Sequence, residues 1–155
     1  MAKEIMVRHA CDNEYLHKDF HGALSVSLDY LLEKYGDESV REYLSQFAAS
    51  YYAPLIKNLK SIGLIALKEH FEKLYAVECG QVSIDYSDDE LILNIEACPA
   101  VTHMRQHGYS VSKLFSETSN TVNRTICEET PFEFEMLEYD EEIGKSVQRF
   151  YRRVK

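Results

Sequence analysis

Apolar residues recur every three or four positions through the first half of the chain, which is the spacing of one face of an amphipathic helix. The first predicted helix begins near Glu14 and ends at Gly36, a residue type common after a helix C-terminus. A second begins at Asp37 and is interrupted at Pro54, because proline lacks the N–H that an interior turn needs. A third begins at Leu64. The apolar stripes of the first two helices are Leu16, Phe20, Leu24, Leu28, Leu31 and Tyr35, and Val40, Tyr43, Leu44, Phe47 and Tyr51.

The hydrophobic period changes from about 3.6 residues to about 2 near position 80, which indicates β-strands. Two segments, 82–86 and 91–98, alternate apolar and polar residues on either side of a Ser-Asp-Asp turn. They predict a β-hairpin that ends at Cys98-Pro99. A short helical segment containing His103 and His107 follows it.

A further helix, which Ser110 or Ser112 can cap, leads to a second predicted hairpin at 132–152. The order of elements is three helices and then β-β-α-β-β, with no internal repeat or linker. We therefore predict one α+β domain for the whole chain, with a helical part at 12–78 and a β-β-α-β-β part at 80–155. Its sheet should have four strands and be mostly antiparallel.

Composition narrows the classes of partner. The formal charge of −9 repels phosphate backbones, so nucleic acid is not expected as a partner. No run of apolar residues reaches the length of a membrane span, and Met1 to Cys11 lacks the apolar run of a signal peptide, so we expect a cytoplasmic protein without a membrane partner. The four cysteines include no C-x-x-C pair, so neither a zinc ribbon nor a thioredoxin-type dithiol is indicated.

Aromatic residues follow the second helix at helical spacing, namely Tyr43, Phe47, Tyr51 and Tyr52. Such a stripe is typical of a core or a dimer interface, and we predict a homo-oligomer, most simply a homodimer. A contact with haem is a further alternative.

The first hairpin is followed by the pattern C-x4-H-x3-H, formed by Cys98, His103 and His107. One thiolate and two imidazoles suit Zn²⁺, and three protein ligands leave a position open for catalysis. The same residues also allow a metal-free site, with Cys98 as nucleophile and either histidine as its base. In that site the N–H groups after Pro99 would point toward the sulfur and could stabilise an oxyanion. The third alternative is a small buried cysteine beside solvent-exposed histidines.

His17 and His21 lie four residues apart on the first predicted helix, so both imidazoles project from one side. If this helix reaches the first hairpin, they complete a metal-ligand set with Cys98, His103 and His107. If it does not, they are a partly buried pair that hydrogen-bonds to neighbouring groups.

Polar residues near Cys98 are candidates for ligand binding. Asn94 and Glu96 share the non-core face of its predicted strand, and Arg149 can join them across the sheet. Asn123 on the following helix could add amide contacts. If a helix covers this face, these residues line a pocket for a small molecule. Otherwise the face is solvated.

Two short motifs, Cys98-Pro99-Ala100 followed by His103, and Asp19-Phe20-His21-Gly22, carry a resemblance to a known family. Together with the order of elements, they make the chain similar to the L-2-amino-thiazoline-4-carboxylic acid hydrolase-like family, whose architecture is like the four-vinyl-reductase-type small-molecule-binding fold. The resemblance implies a small hydrolase acting on a heterocyclic or amide-type substrate. It equally implies, as the alternative, a ligand-binding or sensing module without chemistry.

Overall fold

The computed structural model describes residues 18–154. It confirms an α+β fold in which helices precede a four-stranded antiparallel sheet. Among the described helices, none has the length and apolar character needed to cross a membrane. The helices are α1 (Asp19–Tyr35), α2 (Asp37–Tyr51), α3 (Ala53–Ile62), α4 (Ile65–Val77), α5 (Pro99–Gln106) and α6 (Glu117–Glu128), and the strands are β1 (Val82–Tyr86), β2 (Glu90–Ile95), β3 (Phe132–Tyr139) and β4 (Ser146–Arg152).

The sheet has the strand order β1-β2-β4-β3, and both predicted hairpins are present. The prediction that the second strand extends to residue 98 is wrong, because β2 ends at Ile95. At that point Ile95 pairs with Val82 and Ser146, the first residues of β1 and β4, so the chain beyond it has no strand on either side. Cys98 therefore lies in the connection to α5 and not on the sheet.

The core lies between one face of the sheet and the helices. Along β2, the buried Leu91, Leu93 and Ile95 alternate with partly exposed residues. Phe71 of α4 packs against Phe150 of β4, with ring centroids 5.6 Å apart. Helix α6 packs against β3 on one side and α2 on the other, which places α2 in the outer layer.

The residues that α1 and α2 bury differ from those that the apolar stripes predicted. On α2 the buried residues are Val40, Leu44 and Ala48, whereas Tyr43, Phe47 and Tyr51 are 43%, 39% and 67% exposed. These aliphatic side chains face inward because α2 packs on α6, and the aromatic stripe lies on the solvent side. This excludes the core alternative for these three aromatic residues. On α1 the predicted core positions Phe20 and Tyr35 are likewise exposed, and Leu16 lies outside the described residues.

The prediction that Ser110 or Ser112 caps the sixth helix is wrong, because α6 begins at Glu117. Contacts with Ser25 of α1 account for the later start of this helix. Its hydroxyl donates to the Ser110 carbonyl oxygen at 3.0 Å and accepts the Ser112 N–H at 2.7 Å. These two hydrogen bonds hold residues 110–112 against α1 in a non-helical conformation.

Candidate functional site

Cys98 occupies the N-cap position of α5, where Pro99 begins the helix. Its N–H donates to the Ile143 carbonyl oxygen at 2.9 Å, and its own carbonyl accepts the Thr102 N–H at 2.9 Å. The backbone N–H groups of Ala100 and Val101 lower the pKa of the Cys98 thiol, although the Cys98 side chain makes no capping hydrogen bond to the helix. Cys98 thus precedes a helix N-terminus as predicted, but its side chain accepts no capping hydrogen bond from that helix.

The thiol of Cys98 is nevertheless not activated. Burial raises its pKa above the usual value of 9.0, and the negative charge of Glu78 acts in the same direction. The N–H groups of Ala100 and Val101 oppose this effect but do not reverse it. The group is therefore a protonated thiol at neutral pH, and the thiolate is the nucleophilic form.

Two tyrosines enclose the same region. Burial, followed by the charges of Cys98 and Glu78, raises the pKa of Tyr75 at the end of α4. Burial, followed by the charge of Cys98, raises the pKa of Tyr139 at the end of β3 to about 12. Both phenols stay neutral at physiological pH, so they can donate hydrogen bonds but do not act as bases there.

His21 is the histidine of α1 that reaches this region. Its Nε2 lies 3.2 Å from Oε1 of the buried Glu78, whose carboxylate accepts the hydrogen bond. The negative charge of Glu78 thus acts on both the His21 imidazole, through a hydrogen bond, and the pKa of the Cys98 thiol. His17 lies outside the described residues.

His103 and His107 form a separate group with the beginning of α1. His103 Nε2 lies 2.9 Å from Asp19 Oδ1, which also accepts the Tyr109 hydroxyl at 3.2 Å. His107 Nδ1 donates to the His103 carbonyl oxygen at 2.9 Å, and the two imidazole centroids are 4.1 Å apart. These contacts orient the histidines toward Asp19 and Tyr109.

The predicted metal ligands are thus divided between two groups. Within residues 18–154, no set of three or more His, Cys, Asp or Glu side chains is arranged to hold a metal ion. His21 is hydrogen-bonded to Glu78 and His103 to Asp19, so these two histidines have separate carboxylate partners, whereas His107 bonds to the His103 carbonyl oxygen. The described donors therefore do not fit the predicted Zn²⁺ centre.

Two of the predicted ligand-binding residues lie together. Asn94 and Glu96 line a cleft of about 460 Å³ between α4 and the β1–β2 hairpin, which we call the Tyr75 cleft. Its remaining lining residues are Glu72, Tyr75, Ala76, Gly80, Gln81, Val82 and Ser83.

Gly80 connects this cleft with the Cys98 region. A Cβ at Gly80 would lie 2.6 Å from Pro99 Cγ and 2.8 Å from Tyr75 Cδ1. The absence of a side chain at Gly80 therefore lets Pro99 approach the wall of the cleft. Cys98, immediately before Pro99, influences the Tyr75 phenol in that wall.

The other two predicted ligand-binding residues lie elsewhere. Asn123 is buried between α6 and the sheet, where its Nδ2 donates to Gln148 Oε1 at 2.9 Å. Arg149 lies on the sheet face opposite the helices, with its Nε 2.6 Å from Glu90 Oε1 and its guanidinium 3.7 Å from Glu135. The polar residues around Arg149 therefore form the solvated sheet face of the alternative prediction.

Several residues of the site were not predicted. Glu78 and Tyr75 follow Phe71 at spacings of seven and four, so they continue the apolar stripe of α4. A carboxylate in phase with such a stripe is a sequence signal for a buried acid. Asp19 and Tyr109 carried no comparable signal, because they meet His103 only through the packing of α1 against α5.

Comparison of this chain with protein-family models and with curated proteins finds no match.

Proposed function

We propose that this protein binds a small organic molecule in the Tyr75 cleft. The observation that carries the proposal is that Asn94, Glu96 and Tyr75 line one concavity of about 460 Å³. Ligand sites of proteins usually have volumes of about 300–1,000 Å³ and contain a few convergent polar groups in an otherwise apolar lining.

The lining also favours a chemical class. Asn94 and Gln81 each present an amide with a donor and an acceptor, and Ser83 adds a hydroxyl. An amide or a cyclic amidine presents the complementary acceptor and donor. The cleft therefore supports a heterocyclic or amide-type ligand, in agreement with what the family resemblance implies.

A binding measurement with Asn94→Ala tests this proposal. The probe is L-2-amino-thiazoline-4-carboxylic acid, the compound in the family's name, together with a panel of cyclic amides. Calorimetric titration should show binding that Asn94→Ala weakens about tenfold, as expected for one lost hydrogen bond. The matched control is Asn58→Ala on the exposed side of α3, which should bind like the unmodified protein. Equal weakening in both variants, or no binding by any probe, would contradict the proposal.

The second candidate function is hydrolysis of such a ligand with Cys98 as nucleophile. The specific observation in its favour is that Cys98 lies at the N-cap of α5, where the Ala100 and Val101 N–H groups lower the pKa of its thiol. In this reaction the Cys98 thiolate attacks the carbon of the C–N bond, the nitrogen leaves with a proton, and water then releases the acyl group. Because the pKa of Cys98 is raised, the rate should increase with pH to above about pH 9.

Cys98→Ala tests the second candidate. It should abolish turnover of L-2-amino-thiazoline-4-carboxylic acid and leave the thermal unfolding midpoint nearly unchanged. The exposed Cys79 supplies the control variant Cys79→Ala, which should retain full activity. Retained turnover in Cys98→Ala, with a large loss of stability, would instead identify a purely structural cysteine.

The proposal includes a cytoplasmic location and association into a homodimer through the exposed Tyr43, Phe47 and Tyr51. Three aromatic side chains on the solvent side of one helix are typical of interfaces between subunits. Sedimentation of the unmodified protein should therefore show a dimer, and Phe47→Ser should shift it toward the monomer.

A further inference from the structure

Strand β1 has a free backbone edge. Within residues 18–154 it pairs with β2 alone. The Ser87 N–H donates to the Glu90 carbonyl oxygen at 2.8 Å, which continues the β1–β2 register by one pair. Because hydrogen-bonded and non-hydrogen-bonded pairs alternate along an antiparallel ladder, the backbone groups of Ser83 and Asp85 point toward β2. The residues whose backbone groups point away from the sheet are Val82, Ile84 and Tyr86.

The opposite edge of the sheet, at β3, is less suited to pairing. Its ladder with β4 shifts register between Met136 and Glu138, and such a bulge distorts an edge strand. The ladder of β1 has no register shift, and β1 contains neither the proline nor the lysine that commonly protect an edge. Strand β1 is therefore the edge that can accept another strand.

The sequence of β1 is complementary to itself when two copies run antiparallel about Ile84. Ile84 then lies opposite Ile84 of the second copy, Val82 opposite Tyr86, and Ser83 opposite Asp85. Apolar side chains meet on one face of the sheet, and a hydroxyl meets a carboxylate on the other. A register centred on Asp85 would oppose two carboxylates, and one centred on Ser83 would pair only three of the five residues. The pairing about Ile84 is thus the favoured one.

This pairing brings the second copy to the Tyr75 cleft. Val82 lines the cleft, whereas Tyr86, at the other end of β1, does not. Tyr86 of the second copy would lie opposite Val82, and directly opposed residues project from the same face of a sheet. For Val82 this is the face that packs on the core and on α4. The second copy therefore places an aromatic ring beside the cleft, on the side where β1 is the last strand.

We propose that two copies of this protein pair through β1 and that Tyr86 of each copy completes the Tyr75 cleft of the other. The pairing joins the two four-stranded sheets into one antiparallel sheet. The part that concerns the cleft rests on the proposed function, whereas the pairing does not depend on it.

The pairing is weak and is compatible with association through α2. Two five-residue strands bury less than the roughly 1,200 Å² of a stable interface, so a ligand that contacts both copies should strengthen their association. Helix α2 packs on α6, and α6 packs on β3, so α2 lies toward the edge of the sheet opposite β1.

Cross-linking between copies tests the pairing. One protein carries Ser83→Cys and the other Asp85→Cys, both with Cys11→Ser and Cys79→Ala to remove competing thiols. Glutathione disulfide is the oxidant: two protein thiols form one disulfide, and the oxidant is reduced to two glutathione molecules. Positions 83 and 85 of paired copies lie directly opposite each other, at about 4.5 Å between Cα atoms, whereas identical positions are offset along the strands.

The two different variants should therefore link to each other at least about fivefold faster than copies of either variant link among themselves. The matched control is a mixture of Glu133→Cys and Glu135→Cys in the same background. These residues have the same spacing on the edge strand β3, and their mixture should show no such preference.

A titration of the linked protein tests the role of Tyr86. L-2-amino-thiazoline-4-carboxylic acid should bind the linked pair about fivefold more tightly than the same sample after the disulfide has been reduced. Tyr86→Ala in both copies should remove this difference, because the disulfide holds the copies together whichever residue occupies position 86. Tyr30→Ala, at an exposed tyrosine of α1, should preserve the difference.

The outcomes separate the two parts of the inference. Linking without preference between the variants, or an equal preference in the β3 control, would overturn the pairing. Preferential linking with a gain in affinity that survives Tyr86→Ala would overturn the role of Tyr86. If the probe binds neither the linked nor the reduced protein, the proposed function and the role of Tyr86 both fail, while the cross-linking rates still decide the pairing. Circular dichroism establishes that each variant is folded.

Discussion

Gly144 determines how closely the β3–β4 turn approaches Cys98. Its φ of 68° lies in the left-handed region, where a residue with a side chain is strained. A Cβ at this position would collide with Cys98 Cβ and would lie 3.1 Å from Val101 Cγ2. Gly144 is therefore required both by its backbone conformation and by the packing around Cys98.

Gly144→Ala should lower the free energy of unfolding by about 2–4 kcal/mol, because backbone strain and a steric clash act together. Gly108 provides the control. Its φ of 69° is nearly the same, but nothing lies within 4 Å of its added Cβ, so Gly108→Ala should cost only about 1–2 kcal/mol. Urea unfolding measures both variants. Equal losses would show that packing against Cys98 contributes nothing.

At the scale of elements, a buried polar chain connects α6 to the sheet. Asn123 of α6 donates to Gln148 of β4, and Gln148 Nε2 donates in turn to the Ser146 hydroxyl at 3.0 Å. All three side chains are buried, so each depends on the others for its hydrogen bonds. Asn123, predicted from sequence as a ligand-binding residue, is thus occupied by a contact between elements.

Asn123→Ala should destabilise the protein by about 1–3 kcal/mol, since it leaves the Gln148 amide buried without its partner. The double variant Asn123→Leu/Gln148→Leu should lose less free energy of unfolding than the sum of the losses in Asn123→Leu and in Gln148→Leu, because both polar partners are removed together. Thermal unfolding of these three variants and of the unmodified protein gives the comparison. Strict additivity would mean that the two amides are not coupled.

At the scale of the whole molecule, burial raises the pKa of several weak acids that are spread over the second half of the chain. The pKa of Cys98 is raised, that of Cys127 is raised to about 12 by burial, and that of Tyr139 is raised to about 12. Each of these groups holds its proton more tightly in the folded protein than in the unfolded chain. Their contribution to stability is therefore complete below the unfolded pKa and is lost as pH rises through the folded pKa.

The contribution of these groups to the free energy of unfolding should consequently be constant up to about pH 8. It should fall between about pH 9 and pH 12. Tyr139→Phe removes one of these titrating groups and should reduce the loss of stability at alkaline pH. Tyr30→Phe, at an exposed position of α1, should leave that loss unchanged. Denaturant titrations across this range provide the measurement. An identical alkaline loss in Tyr139→Phe would exclude its contribution.

Local patterns in the sequence determined the class of the fold. The change from helical to alternating periodicity near residue 80 predicted both hairpins, and Pro54 and Gly36 marked true helix boundaries. Local rules succeed here because strand alternation and helix stops depend on a few neighbouring residues. The position of Cys98 directly before a helix N-terminus was predicted on the same basis, since Pro99 starts that helix.

Only the tertiary structure decided which side chains meet. Cys98 lies near Gly144 and is influenced by Tyr75 and Glu78, which come from two distant parts of the sequence, while His103 is hydrogen-bonded to Asp19. The packing of α1 against α5 and the end of β2 at Ile95 produce these partners, and neither is encoded by residue spacing within one element. The same long-range packing buries the thiol and raises its pKa. Sequence spacing thus identified Cys98 as a candidate, whereas its environment set its protonation state and its partners.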